Sequence, residues 1–294
     1  MIKLLLNPLL LFVSLLALIT FVSCGSNSES GNTTMATDSV AKSGLVNTDT
    51  AKSSELLSLP APMQVASAIK RICPKYYENL LCPTTNGSAN NFSKTLTLGM
   101  YAFDLGYANV YEQRQTSLNY FVTSIKLADE LKIIGPVNAS SLKSFKENIN
   151  NNDSVKHYTL NSFGNIHDNL ISSDRKNEAF LILTGSFIEG LYVCSSIQTK
   201  DKNLASLVGE QKLFLDNLVI ILPAYKDEAG MSELIAQLAD LKTVYDKIEI
   251  KYKEDTDPSK KSIEPITVSD DMLKQISEKI AAIRKSIIVP KSVS

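Results

Sequence analysis

Two stretches of this chain carry apolar side chains on every face that a helix would present. From Leu96 to Tyr111 the polar side chains, tyrosines aside, are Thr97, Asp104 and Asn109, and from Ala179 to Ile197 the sole charge is Glu189. A helix that is apolar all round belongs at the centre of a bundle or inside a membrane. The second stretch is nearly long enough to span a bilayer, but Thr184, Gly185, Ser186, Glu189 and Cys194 make it a poor span. Both read as central helices of a water-soluble bundle, which obliges the other segments to be amphipathic and to pack around them.

The other segments have that character. Leu273, Ile276, Ile280, Ile283 and Ile287 recur at helical spacing, with Ser269 placed to cap, Asp270 and Asp271 in the first turn, and Arg284 and Lys285 near the end. Met231, Leu234, Leu238, Leu241, Tyr245 and Ile248 share a face, as do Leu118, Phe121, Ile125, Ala128 and Leu131. Val155, Tyr158, Phe163, Ile166 and Leu170 form a further stripe. Leu204, Leu207, Phe214, Leu218 and Leu222 form another, which bends or ends at Pro223. No stretch alternates as a half-buried strand would. The fold class expected is all-α, a bundle of about eight or nine helices with two of them central and apolar. The charged stretch from Lys251 to Val268, with Pro258 and Pro265, reads as a solvated loop rather than a binding loop.

The amino end is different in kind. Lys3 is its one charge before an apolar run from Leu9 to Val22, the pattern of a secretory signal peptide over 1–23. The residues around its end, Phe21-Val22-Ser23-Cys24-Gly25, resemble the lipobox of bacterial lipoproteins, with Phe21 where leucine is usual. That resemblance implies that Cys24 receives a diacylglyceryl group, that the preceding peptide is removed, and that the new amino end is acylated, with palmitate for example. Stable anchoring needs more than one acyl chain, which such maturation supplies. Residues 24–54 are rich in Ser, Thr, Asn and Gly and too poor in apolar surface to offset their ordering entropy. They read as a disordered, lipidated tether with a reach of ~30 Å, leaving 55–294 as a single helical domain. The formal net charge of −1, with no basic stripe, argues against nucleic acid as a partner.

Candidate chemistry is sparse. His157 and His167 fall about 15 Å apart along one helix and roughly 80° apart around it, so they cannot chelate one metal together. No metal-binding, phosphate-cradling or nucleophile-elbow motif occurs, and neither a metal nor a cofactor is expected. Cys194 reads as a small buried residue. Cys73-Pro74 and Cys82-Pro83 bracket a short segment; a Cys73–Cys82 disulfide staples it if it folds back, whereas in a straight helix the two sit ~13 Å apart, too far for a bridge. Each apolar helix also carries an acid three residues before a tyrosine: Asp104 with Tyr107, and Glu189 with Tyr192. Each pair shares a helix face. A buried carboxylate must be paired, hydrogen-bonded or protonated. The four residues thus form either a structural network, with tyrosine hydroxyls, Asn109, Gln113 or Arg114 as partners, or a small ligand pocket. Gly99, Gly106, Gly185 and Gly190 cost helix propensity, which close helix approach offsets.

Gly99, Tyr101, Asp104, Leu105 and Tyr107 fit the Gly-x-Tyr-x-x-Asp-Leu-x-Tyr helix of a group of uncharacterised helical lipoproteins of Gram-negative bacteria, which the chain resembles here. The resemblance implies an all-α fold and a place in the cell envelope, with the outer membrane as the expected site, and no activity. The leading expectation is a lipid-anchored, non-catalytic module that binds a protein partner or small ligand beside the membrane. One alternative is a hydrolase or lyase that uses Asp104 and Glu189 as a carboxylate pair. Another is capture of a glycan nutrient, against which the absence of tryptophan weighs.

Overall fold

The computed structural model describes most residues from 62 to 289; residues 1–61, 85–89, 134–142, most of 152–168, 198–200, 254–262 and 290–294 lie outside the description. The expected signal peptide, Cys24, the expected tether, both histidines and much of the stripe from Val155 to Leu170 therefore fall outside the described residues. Within them the fold is all-α, with no strand and one isolated antiparallel bridge, between Tyr252 and Ile263. Eight α-helices are described: α1 Pro62–Ile72, α2 Asn91–Val110, α3 Arg114–Glu130, α4 Lys176–Ser196, α5 Lys202–Glu210, α6 Lys212–Ile221, α7 Met231–Tyr245 and α8 Asp270–Ile288.

The two apolar stretches are α2 and α4, and they make the most extensive helix contact in the fold. They run parallel, with Leu96 and Gly99 facing Ile182 to Ser186 and Phe103 facing Gly190. α4 is long and apolar enough to cross a membrane by composition, yet 72% of its apolar window is buried inside the body. α3 packs on α2, α1 lies against both central helices, and α8 crosses α4 and touches α2, with α7 packed on α6 and α8.

The crossing is closed by glycine. A Cβ at Gly99 would stand 1.9 Å from the Ile182 carbonyl oxygen, and one at Gly185 would stand 1.9 Å from the Leu96 carbonyl oxygen. Each helix thus rests its own glycine on the other's backbone, closer than any side chain permits. At Gly190 the obstruction is softer, the ring of Phe103 at 2.9 Å.

Helix ends follow local chemistry. Asn90 accepts from the Ser93 N–H to start α2, and Ser269 accepts from the Met272 N–H to start α8, with Asp270 and Asp271 in its first turn. At three ends the chain reverses through a left-handed residue that is not glycine: Glu112, Lys132 and Asp174. Each time the following N–H reaches back to a carbonyl five residues earlier, as in Gln113 to Ala108, Ile133 to Ala128 and Arg175 to Leu170. That is the Schellman closure, which satisfies carbonyls the helix leaves over.

Two expectations need correction. The stripe from Leu204 to Leu222 is two helices, α5 and α6, interrupted at Gln211 and followed by a 3-10 turn, Leu222–Tyr225, with Pro223 in its first turn. The stretch from Lys251 to Val268 is not solvated throughout. Ile266 and Val268 are buried, the Ile266 N–H donates to Ser206 Oγ at 2.8 Å, and both side chains lie over Gly209, where a Cβ would meet Ile266 at 2.7 Å. An apolar pair within a charged run docks where a missing side chain leaves room.

Alanine at Gly99 or Gly185 isolates the crossing. Helix propensity alone would stabilise either variant by ~1 kcal/mol. The Cβ clash drives the central helices apart, so each is expected to be destabilised by about 1–3 kcal/mol or more, read by denaturant unfolding. Unchanged or raised stability would show that the helices do not approach this closely.

Candidate functional site

The parallel register carries the two acids to one level. Asp104 lies five residues beyond Gly99 and Glu189 four beyond Gly185, and both side chains are fully buried. Glu189 meets a residue from the far end of the chain. Arg284 of α8 donates from Nε to Oε2 at 2.7 Å and from Nη2 to Oε1 at 2.8 Å, a bidentate pair. Nη2 also donates to the Leu80 carbonyl at 3.2 Å, and the guanidinium lies 4.1 Å from the centre of the Tyr192 ring. Arg284 is itself buried, on the same inward face of α8 as Ile276, Ile280, Ile283 and Ile287. Burial works against its cation, but the Glu189 hydrogen bonds and charge outweigh this and shift the guanidinium upward, deeper into its charged range.

Asp104 serves a different segment. Its Oδ2 accepts from the Cys82 N–H at 2.9 Å. The Cys82 carbonyl in turn accepts from the Tyr120 hydroxyl at 2.6 Å, and the Pro83 carbonyl accepts from the Tyr101 hydroxyl at 3.0 Å. The Tyr77 N–H donates to the Tyr107 hydroxyl at 3.3 Å, and the Tyr111 hydroxyl donates to the Cys73 carbonyl. Tyr101, Asp104, Tyr107 and Tyr111 therefore form a ladder along one face of α2 that holds residues 73–83, a segment with only a single 3-10 turn at Glu78–Leu80. Backbone groups that no helix satisfies find their partners there. Stacking adds to it, with Tyr107 at 4.7 Å from Tyr111 and at 5.4 Å from Tyr76 between ring centres.

The same acid-and-tyrosine spacing thus has two uses. On α2 it receives a loop, and on α4 it receives the guanidinium of α8. Burial, and then the Glu189 charge, push the Asp104 carboxyl well above the ordinary aspartate range, against the opposing pull of the Cys82 N–H and Arg284. Burial also raises Glu189, with Arg284 opposing. The Tyr107 hydroxyl is pushed up to about 12 by burial.

The Cys73–Cys82 bridge that the sequence leaves open is not formed; both residues carry thiols. Cys73, at the end of α1, is half-buried with its Sγ toward the Lys75 carbonyl, while Cys82 is drawn inward by its N–H bond to Asp104. Cys194 is a buried thiol in α4, and burial pushes it up. No cluster of three His, Cys, Asp or Glu residues suited to a metal ion occurs among the described residues.

Arg284, expected from the sequence as a dipole partner near the helix end, instead faces inward, where its spacing of four from Ile280 places it. The candidate partners Gln113 and Arg114 lie elsewhere: Gln113 donates to the Tyr111 carbonyl and Arg114 is exposed. A cavity of about 20 Å³ lies between Phe103, Phe187 and Phe214, beside Gly190, and not at the acids. It has room for about one water molecule.

No protein-family model, curated protein or solved structure matches this chain.

The ion pair is open to a direct test. Arg284→Met leaves a buried Glu189 without its cation and is expected to cost about 3–5 kcal/mol, whereas adding Glu189→Met removes the orphaned charge and restores most of that loss. Denaturant melts of the single and double variants measure this; a double variant as unstable as the sum of its parts would contradict the buried pair.

Proposed function

We propose that this chain is a lipid-anchored lipoprotein of the cell envelope, held at the outer membrane through Cys24, whose single helical body is a non-catalytic binding or interaction module. The observation that carries the non-catalytic part is the fate of the acids. Asp104 and Glu189 are both 0% exposed, and each oxygen of the Glu189 carboxylate accepts from Arg284. A hydrolase or lyase built on them would need carboxyl groups in reach of substrate and water. Here the groups hold helices and a loop together.

The lipoprotein part rests on the amino-terminal pattern, an apolar run that ends in Ser23-Cys24-Gly25 after a lone Lys3. Its partner at the membrane is the bilayer itself, and the body presents its surface to a protein or small ligand beside it. A near-neutral chain with no basic stripe suits either of these better than nucleic acid.

Metabolic labelling with a radioactive fatty acid tests the anchor. The full-length chain, expressed in a Gram-negative host, is expected to take up label and to sediment with membranes. Cys24→Ala is expected to lose the label and to remain as a precursor that keeps its amino-terminal segment. Label retained by Cys24→Ala would refute the assignment.

A further inference from the structure

The junction of α2, α4 and α8 contains two carboxyl groups and one guanidinium, all withdrawn from water. The groups facing Asp104 come from every element packed on it: Tyr101 on α2 itself, Tyr120 on α3, Tyr76 and Cys82 from the loop, Glu189 on α4 and Arg284 on α8. The three tyrosines are pushed upward by burial and stay neutral. Arg284 is therefore the one cation in the set, and its Nε and Nη2 are spent on Glu189, with Nη2 shared with the Leu80 carbonyl.

Asp104 has one oxygen provided for and one not. Oδ2 accepts from the Cys82 N–H, while Oδ1 is buried and accepts from no donor: the neighbouring Tyr120 hydroxyl, which favours the charged form, is directed to the Cys82 carbonyl. An ionised carboxylate would leave a full charge on an oxygen with no partner, beside a second carboxylate, in a dry core. Each of these disfavours the ionised form. A neutral carboxylic acid has no such difficulty, because its hydroxyl is a donor and the Glu189 carboxylate beside it is an acceptor.

We infer that the core holds a proton at neutral pH, carried on Asp104 and shared with Glu189, so that two carboxyls, one proton and one guanidinium form a neutral node. The occupancy of this proton site is tied to the docking of α8, which brings Arg284 to Glu189. The sign follows from the upward shift of Asp104. The unfolded chain releases this proton above about pH 4, whereas the folded chain keeps it until pH passes the raised folded value. The contribution is complete in acid and is lost as pH rises through that value. Across this window one proton changes the folding equilibrium by up to about tenfold per pH unit.

Asp104→Asn reproduces the neutral acid, with its oxygen still accepting from Cys82 and its amide donating to Glu189. The test compares denaturant unfolding of the wild type and Asp104→Asn from pH 5 to 8, with infrared spectra of both and of Glu189→Gln at pH 7. The wild type is expected to lose stability relative to Asp104→Asn as pH rises, by up to about tenfold in the folding equilibrium per pH unit. A protonated-carboxyl stretch is expected in the wild type. It should vanish in Asp104→Asn, and also in Glu189→Gln, where one remaining acid ionises against Arg284. A constant stability difference across the range would overturn the proposal. So would a wild-type spectrum without the protonated band, or a band that survives in Glu189→Gln.

Discussion

The contact between the backbones of α2 and α4 sets everything built above it. Gly99 and Gly185 are each pressed against a carbonyl of the opposite helix, so neither helix can slide along the other without driving a side chain into main chain. The register this fixes is parallel and places position 104 beside position 189. The acids meet because the glycines do. Apolar packing alone would tolerate many registers, since a helix greasy on all faces presents no preferred stripe. The reciprocal glycines remove that freedom.

With the register set, the acids give direction to elements that would otherwise lack it. The segment 73–83 has too little regular structure to satisfy its own backbone, and the ladder of Tyr101, Asp104, Tyr107 and Tyr111 supplies what it needs. α8 is a conventional amphipathic helix with an isoleucine face, and isoleucines by themselves accept several rotations and shifts. A bidentate bond between Arg284 and Glu189 accepts few. Buried ion pairs add little net stability over a well-packed apolar replacement, and their best-attested role is selecting one arrangement. That role fits a helix whose apolar face is so repetitive.

The all-α class, the two central helices and the amphipathic ring were legible because they depend on periodicity, which a single sequence displays. So was the tension in each apolar helix between an acid and its surroundings. What settled that tension was not legible, because it arises between residues far apart in the chain. Nothing local to Asp104 points to the Cys82 N–H, and two of the candidate partners nearby in sequence, Gln113 and Arg114, turn elsewhere. Arg284 was nearer to discovery, since its position on the Ile276–Ile287 face can be counted. It was masked by a second explanation, the preference of cations for helix ends, that is true of many arginines. The break at Gln211 and the left-handed ends at Glu112, Lys132 and Asp174 were hidden for a different reason. Sequence flags such sites by glycine or proline, and these residues are neither.

The Arg284–Glu189 pair also has a consequence in time. Its members are 95 positions apart, and Arg284 reaches back 204 positions to the Leu80 carbonyl. A chain that emerges amino end first therefore makes α2 and α4 long before the cation that their junction requires. Until α8 arrives, the acid of α4 has no guanidinium to close around it. Contacts of such sequence separation form late and slow the search for the native state. The central pair must wait, part-assembled, for α8, so a helix made later is the one that closes a pair made earlier.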